Sequence, residues 1–223
     1  TPGAIRLAAR DNLELTGSAV LDAHGTVLQV DSYGQPIIAN NRGTVELTTS
    51  QGTLLLDSGA RIDVSVTSPQ GKLLASLGQI TLNAPRTGET SGDVKINAVG
   101  PLAIRGAQSV AVNAFWIYSP TDAYGTIVQD NGEGTNGSPV SAANGWLGMN
   151  QVDQRSLTFI NAALANSDLQ GRLAGLTAYG AAFHLRPGVE IDGTPTAANP
   201  TGTLTVAGDL DLSGFRYGPN ADR

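Results

Sequence analysis

Residues 43–65 form a strand-and-turn unit that recurs, with variations, along this chain. Within the unit, apolar residues come in pairs whose two members are separated by one other residue, which is the period of a strand with one buried face. Turn-forming groups, Ser50-Gln51-Gly52 and Asp57-Ser58-Gly59, separate the pairs. The three apolar pairs are Val45 and Leu47, Leu54 and Leu56, and Ile62 and Val64. We therefore predict three short strands that are joined by tight turns.

The recurrence of this unit predicts the fold class. Segments similar to its leading segment GTVELTT are GAIRLAA, GQITLNA, GDVKINA and GTLTVAG. A second complete copy has its apolar pairs at Val94/Ile96, Leu102/Ile104 and Val110/Val112, and a partial copy near the start has Ile5/Leu7, Leu13/Leu15 and Val20. Self-similarity at a period of roughly 20 to 25 residues is typical of a solenoid. We expect an all-β solenoid whose core consists of stacked aliphatic residues.

Composition excludes several classes of protein. Charged residues make up only 14% of the 223 residues and aromatic residues only 5%, so aliphatic side chains must form most of the core. The net charge is −6 and the Lys and Arg residues are scattered, which argues against nucleic acid and anionic membranes as partners. No apolar run is long enough to span a bilayer. The absence of cysteine fits a secreted bacterial protein.

The rung pattern is interrupted once at length, so we predict three regions. Residues 1–114 and 181–223 carry the solenoid rungs, and residues 115–180 form an extrahelical insertion. The insertion begins with aromatic residues and continues with a polar stretch, residues 129–145, that is typical of a long surface loop. Two short helices follow it. The chain starts at Thr1, within the first rung, and we expect it to be a piece of a longer protein with more rungs before it.

Residue types at helix starts place the two helices. Asp153 is suited to cap the first, and Ser167 with Gln170 forms a capping box for the second. The apolar faces are expected to be Leu157, Ile160 and Leu164 on the first helix, and Leu169, Leu173 and Leu176 on the second. Short helices are marginal alone, so these faces should pack on the solenoid wall.

The insertion also contains the candidate binding residues. It gathers several of the chain's few aromatic residues and is its most irregular surface, so we expect it to mediate recognition. The candidate binding residues are Trp116, Tyr118, Tyr124 and Trp146.

Three features of the sequence are similar to those of one known family. They are the leading segments, the closing GDLDLSGFRYGPN, and LRPGVEI after NSDLQGRLAGL. Together they resemble the filamentous haemagglutinin-like exoproteins of Gram-negative bacteria, which are large adhesins exported by two-partner secretion. The amino-terminal secretion domain of that family is not recognisable here, so the resemblance points to an internal or carboxy-proximal piece.

The resemblance carries expectations about fold, location and partners. It implies a right-handed parallel β-helix in a long fibre that is secreted to the bacterial cell surface. The full-length protein would use the outer-membrane transporter of its two-partner system and attach to a receptor or glycan on a host or bacterial surface. We expect no enzymatic activity, no cofactor and no metal site.

The rival class is a carbohydrate-active β-helix, either a polysaccharide lyase or a hydrolase. Such enzymes need carboxylates on one outer face with a nearby basic residue. The candidates are Glu190 and Asp192 beside Arg186, and Asp209 and Asp211 beside Arg216. Strand alternation alone places each acidic pair on one face. The two histidines, His24 and His184, lie far apart in the sequence and indicate no metal site.

Overall fold

A computed structural model describes residues 3–26, 31–35, 42–68 and 70–214. Strands in small, mostly parallel sheets dominate it and helices are few, which agrees with the all-β prediction. The chain forms two compact units, each built from three segments. The first unit comprises Thr1–Pro85, Val94–Ala114 and Asn166–Arg186, and the second comprises Arg86–Asp93, Phe115–Ala165 and Pro187–Arg223.

The strands are short, apart from three of eight residues or more. They are β1 (Ala4–Ala9), β2 (Leu13–Leu15), β3 (Val20–Asp22), β4 (Gly25–Thr26), β5 (Thr44–Thr49), β6 (Leu54–Leu56), β7 (Arg61–Asp63), β8 (Val66–Thr67), β9 (Leu73–Ala75), β10 (Gly78–Pro85), β11 (Ile96–Asn97), β12 (Ala103–Arg105), β13 (Ala107–Tyr118), β14 (Thr126–Val128), β15 (Leu147–Gly148), β16 (Phe183–Ile191) and β17 (Thr205–Val206).

The chain passes through the same sheets in the same order several times, and we call each passage a round. The first round contributes β1, β2, β3 and β4 to four sheets, and the second contributes β5, β6, β7 and β8 to the same four. The third round, β10 to β12, joins three of them. The strand orders of the sheets are β1-β5-β10-β13-β16, β11-β6-β2, β12-β7-β3, β4-β8-β9 and β15-β14-β17.

Successive rounds stack in register, so identical positions form columns. Leu7 lies beside Leu47, which lies beside Leu82, and the side chains of Leu47 and Leu82 are fully buried. Strand β5 alternates buried and partly buried residues along its whole length, as its sequence predicts. Aliphatic columns of this kind are stabilised mainly by burial of apolar surface, at about 25 cal/mol per Å².

The register of the later rounds differs from the prediction. Ile96 pairs with Leu54, so GDVKINA belongs to the second strand of a round rather than to the first. Val110 and Val112 lie in β13, in the sheet of β1, β5 and β10, and therefore begin a new round. Alternation predicts a strand but does not specify the sheet that the strand joins. In the third round the Arg86–Asp93 segment separates the first strand, β10, from the second, β11.

Three further strands, β3, β9 and β17, differ from the prediction or decide between its alternatives. Leu21, not Val20, pairs with Ile62, and Val20 is 62% exposed. The stretch after Thr67 allows either a helical turn or a strand by sequence, and the structure forms the strand β9, antiparallel to β8. GTLTVAG contains β17, which pairs with β14 and is not a leading strand.

The helices begin at other residues than predicted. They are α1 (Met149–Ala165), α2 (Ser167–Arg172), α3 (Ala174–Thr177) and the short 3₁₀ helix Gly180–Ala182. Asp153 lies inside α1 and does not cap it. Asn166 caps α2 by accepting hydrogen bonds from the N–H groups of Asp168 and Leu169. Among the described residues, no helix is long and apolar enough to cross a membrane.

The buried faces of the helices are partly as predicted. Leu169, Leu173 and Leu176 are fully buried. On α1, Ile160 is buried but Leu157 is 38% exposed, because the buried stripe follows other positions. That stripe consists of Val152, Phe159, Ile160 and Ala163, together with the polar Gln151 and Ser156.

In the first unit, α2 and α3 cover a sheet edge. Strand β11 is the last strand of its sheet, so its outer backbone groups need partners. The Arg172 side chain donates to the carbonyls of Val94 and Ile96, each at 2.9 Å. The Ala98 N–H donates to the Arg172 carbonyl and the Gly175 N–H to the Ala98 carbonyl, both at 2.7 Å. Helix ends therefore replace the missing neighbouring strand.

A tyrosine covers the next edge in the same way. Strand β12 is the last strand of its own sheet. The Tyr179 hydroxyl donates to the Leu102 carbonyl and accepts the Ile104 N–H, the latter at 2.9 Å. The Asn166–Arg186 segment therefore covers the edge strands β11 and β12 of two sheets. The five-stranded sheet, in contrast, continues to β16.

Candidate functional site

The second unit has its own small core. It consists of buried side chains from β13, β14, β15 and the start of α1, and partly buried Trp116, Val140, Val189, Ile191 and Leu210 pack against it. The buried members are Tyr118, Ile127, Leu147, Met149 and Val152. Parallel pairing of Ile127 with Leu147 fixes where α1 begins, directly after β15.

The four predicted aromatic residues divide into two pairs. Trp116 packs against the core of the second unit and Tyr118 is only 5% exposed, so both serve the interior. Tyr124 is 70% exposed and Trp146 is 39% exposed. Of the four, Tyr124 and Trp146 therefore present the most surface to a partner.

Tyr118 is part of a buried polar network. Its hydroxyl donates to the Glu89 carboxylate at 3.0 Å, and Arg155 Nε lies 3.9 Å from the same oxygen. Burial, and next the negative charge of Glu89, raise the pKa of Tyr118 well above its usual value. The phenol therefore stays protonated and acts as a fixed hydrogen-bond donor.

Arg86 anchors the Arg86–Asp93 segment within the second unit. Its side chain donates to the Glu89 carbonyl at 2.9 Å and to the Gly188 carbonyl at 3.0 Å, and the guanidinium lies 4.1 Å from the centre of the Phe159 ring. The residue is only 2% exposed. Because these contacts join three separate stretches of chain, Arg86 is a structural residue and not a surface cation.

The polar stretch 129–145 is organised by one buried amide. Asn131 is 7% exposed, and its Nδ2 donates to the carbonyls of Ser138 and Pro139 at 3.0 and 2.9 Å. Glu133 accepts the Ala142 N–H at 3.1 Å. The loop predicted from composition alone is thus held by its own side chains.

A polar cavity of about 280 Å³ lies between this loop and the start of α1. Its lining includes two carboxylates and three amide side chains, but no lysine, arginine or histidine. The lining residues are Asp130, Gly134, Thr135, Asn150, Gln151, Asp153 and Gln154.

The Asp130 carboxylate accepts hydrogen bonds from three neighbouring groups. Its Oδ1 accepts the Gly132 N–H at 2.8 Å and Gln151 Nε2 at 3.1 Å, and its Oδ2 accepts Asn150 Nδ2 at 3.4 Å. The backbone hydrogen bond from Gly132, followed by those from Gln151 and Asn150, lowers the pKa of Asp130. The group is therefore ionised at neutral pH.

Gln151 forms the buried floor of this region. It is 1% exposed, and its Nε2 donates to Asp130 and to the Gly134 carbonyl at 3.1 Å. Its Oε1 has no hydrogen-bond partner among the described residues. A Cβ at Gly148 would lie 2.0 Å from this oxygen and 2.8 Å from Asn131 Cγ, so a larger residue there would displace both side chains. No sequence pattern pointed to Asp130 or Gln151, because they are 21 positions apart and Gln151 belongs to a helix that starts earlier than predicted.

The predicted catalytic candidates lie elsewhere. Glu190 and Asp192 are exposed, and Arg186 is partly buried. Asp209 and Asp211 are exposed as well, and Arg216 lies outside the described residues. His24 pairs with Asp22 at 2.5 Å on the surface of the first unit. Among the described residues, no group of three or more His, Cys, Asp or Glu could hold a metal ion.

Comparisons with family models, curated proteins and solved structures found no match to this chain.

Proposed function

We propose that this chain is a structural and adhesive segment of a large secreted fibre on a bacterial cell surface. In this proposal the rounds form a right-handed parallel β-helix, a solenoid that lengthens by about 4.8 Å with each added round. The observation that carries it is the parallel, in-register pairing of β1, β5 and β10, with β2, β6 and β11 pairing in the same way. Such stacking suits a segment of an elongated fibre, because further rounds can be added in the same register.

The proposal assigns attachment to the second unit. Tyr124 and Trp146 are exposed aromatic residues there, and the 129–145 loop lies between them in the chain. Exposed aromatic side chains are enriched where proteins bind partners. The receptor would be a protein or glycan on a host or bacterial surface. The full-length exoprotein would leave the cell through the transporter of a two-partner system, as in filamentous haemagglutinin-like adhesins.

The second candidate function, a carbohydrate-active enzyme, is favoured by one observation. Two carboxylates, Asp130 and Asp153, line the same cavity. A general acid at neutral pH needs a raised pKa, however, and the pKa of Asp130 is lowered. We therefore rank adhesion first and expect no turnover.

The attachment role can be tested with aromatic variants. Replacing Tyr124 and Trp146 together with serine should lower attachment of the chain to glycan-bearing cells or surfaces by about 30-fold, because aromatic anchors often contribute more than 1 kcal/mol each. The matched control is Tyr33→Ser, since Tyr33 is 87% exposed but lies in the first unit. Attachment is measured by surface plasmon resonance, and circular dichroism verifies folding. Equal attachment by the double variant and the wild type would refute this assignment.

A further inference from the structure

We propose that the cavity beside Asp130 binds a single neutral sugar residue. This inference rests on the proposed adhesive function and names the ligand class of the same unit. The cavity volume of about 280 Å³ is near the lower end for small-molecule sites, which limits the bound group to about one ring. The chemistry of the lining then selects among small ligands.

Anions are disfavoured by charge. Asp130 is ionised, Asp153 lines the same cavity, and no basic side chain is part of the lining. The start of a helix attracts anions, but at α1 the side chains of Asn150 and Gln151 already donate to the Asp130 carboxylate. The Asp130 carboxylate therefore already takes up the amide donors that a phosphate or sulfate would need.

A calcium ion is disfavoured by the orientation of the amides. Calcium needs six to eight oxygen ligands. Gln151 turns its Nε2 towards Asp130 and the Gly134 carbonyl, and the Asn150 Oδ1 accepts a hydrogen bond from Gln129 at 2.7 Å. Asp130 Oδ1 already accepts two N–H groups. Only two carboxylates line the cavity, and among the described residues no group of three or more His, Cys, Asp or Glu could hold a metal ion.

Sugar hydroxyl groups, in contrast, match the lining side chains that still have hydrogen-bonding capacity. Within the described part of the chain, the side chains of Thr135 and Gln154 form no hydrogen bond, and Asp130 Oδ2 accepts only the 3.4 Å bond from Asn150. These three residues offer acceptors as well as donors around one cavity. Because each sugar hydroxyl both donates and accepts, a ring with several of them can satisfy this set.

The test uses the whole chain and small soluble probes. A panel of neutral methyl glycosides is titrated while the side-chain amide signals of Gln151 and Gln154 are followed by NMR. Separate titrations use calcium chloride alone and inorganic phosphate alone. We expect at least one glycoside to bind and shift both signals, and neither ion to do so.

Variants then assign the binding to the cavity. Gln154→Ala and Thr135→Ala should each weaken glycoside binding by about tenfold, as expected for the loss of one hydrogen bond. The control Gln70→Ala removes an exposed amide of the first unit and should leave binding unchanged. No glycoside binding, unchanged binding in both cavity variants, or binding of calcium or phosphate in its place would overturn the inference.

The outcomes separate this inference from the proposed function. If Gln154→Ala attaches to the glycan-bearing surface as wild type does and no glycoside binds, the cavity inference fails and the adhesive role stands. If glycosides bind in the cavity but the chain does not attach to any surface, the adhesive role fails and the cavity inference stands.

Discussion

Replacement of Arg86 with methionine is expected to lower the free energy of unfolding by about 3 kcal/mol. The side chain is 2% exposed, so water cannot take over its contacts. Methionine can fill much of the volume, but it cannot donate to the carbonyls of Glu89 and Gly188. Each partly buried carbonyl left without its donor costs about 1 kcal/mol or more, and the contact with Phe159 is lost as well.

Urea unfolding followed by tryptophan fluorescence measures this effect. Both tryptophans, Trp116 and Trp146, lie in the second unit with Arg86, so the signal reports the unit that is changed. The control is Arg155→Met, which removes a partly exposed arginine whose ion pair with Glu89 is long, at 3.9 Å. Such pairs contribute about 1 kcal/mol or less. A similar, small loss in both variants would show that Arg86 is not an anchor.

Replacement of Gly175 with alanine is expected to destabilise the first unit by about 3 kcal/mol, although alanine is the better helix former. A Cβ at this position would lie 2.1 Å from the Gly100 carbonyl oxygen and 2.6 Å from the Ala98 carbonyl oxygen. The Gly175 N–H donates to that same Ala98 carbonyl at 2.7 Å. The added methyl group must therefore push α3 away from the edge of β11 and break this hydrogen bond.

Gly171 supplies the matched control. It lies in α2, four residues earlier, and a Cβ there would meet no atom within 4 Å. Gly171→Ala should leave stability unchanged or raise it by up to about 1 kcal/mol. Hydrogen exchange at the Ala98 amide, which donates to the Arg172 carbonyl, measures the docking directly. If the Ala98 amide exchanges as slowly in the Gly175→Ala variant as in the wild type, the close approach at Gly175 does not hold α3 in place.

The sequence predicted strands far better than it predicted their partners. Alternation marked β5, β6 and β7 correctly because one face of each strand is buried. It could not show that Val110 begins a new round, since strands of every sheet carry the same pattern. In the third round the Arg86–Asp93 segment separates the first strand from the second, and periodicity carries no sign of this interruption.

The site was less accessible to sequence reasoning than the fold. Asp153 looked like a helix cap because it is acidic and precedes an apolar run, but Leu147 pairs with Ile127 and α1 starts right after that strand. The cavity residues Asp130 and Gln151 are 21 positions apart in the chain and meet only through that pairing. The Tyr118 hydroxyl likewise finds its acceptor in Glu89, which lies 29 positions away in the chain.

The measurement that tests the central proposal most directly is prolonged incubation of the chain on a glycan array, with and without calcium, followed by assay for released reducing ends and unsaturated products. The account predicts retention on a subset of glycans, independent of calcium and without release of any product. Release of cleaved glycan would contradict it, and so would the absence of any retention.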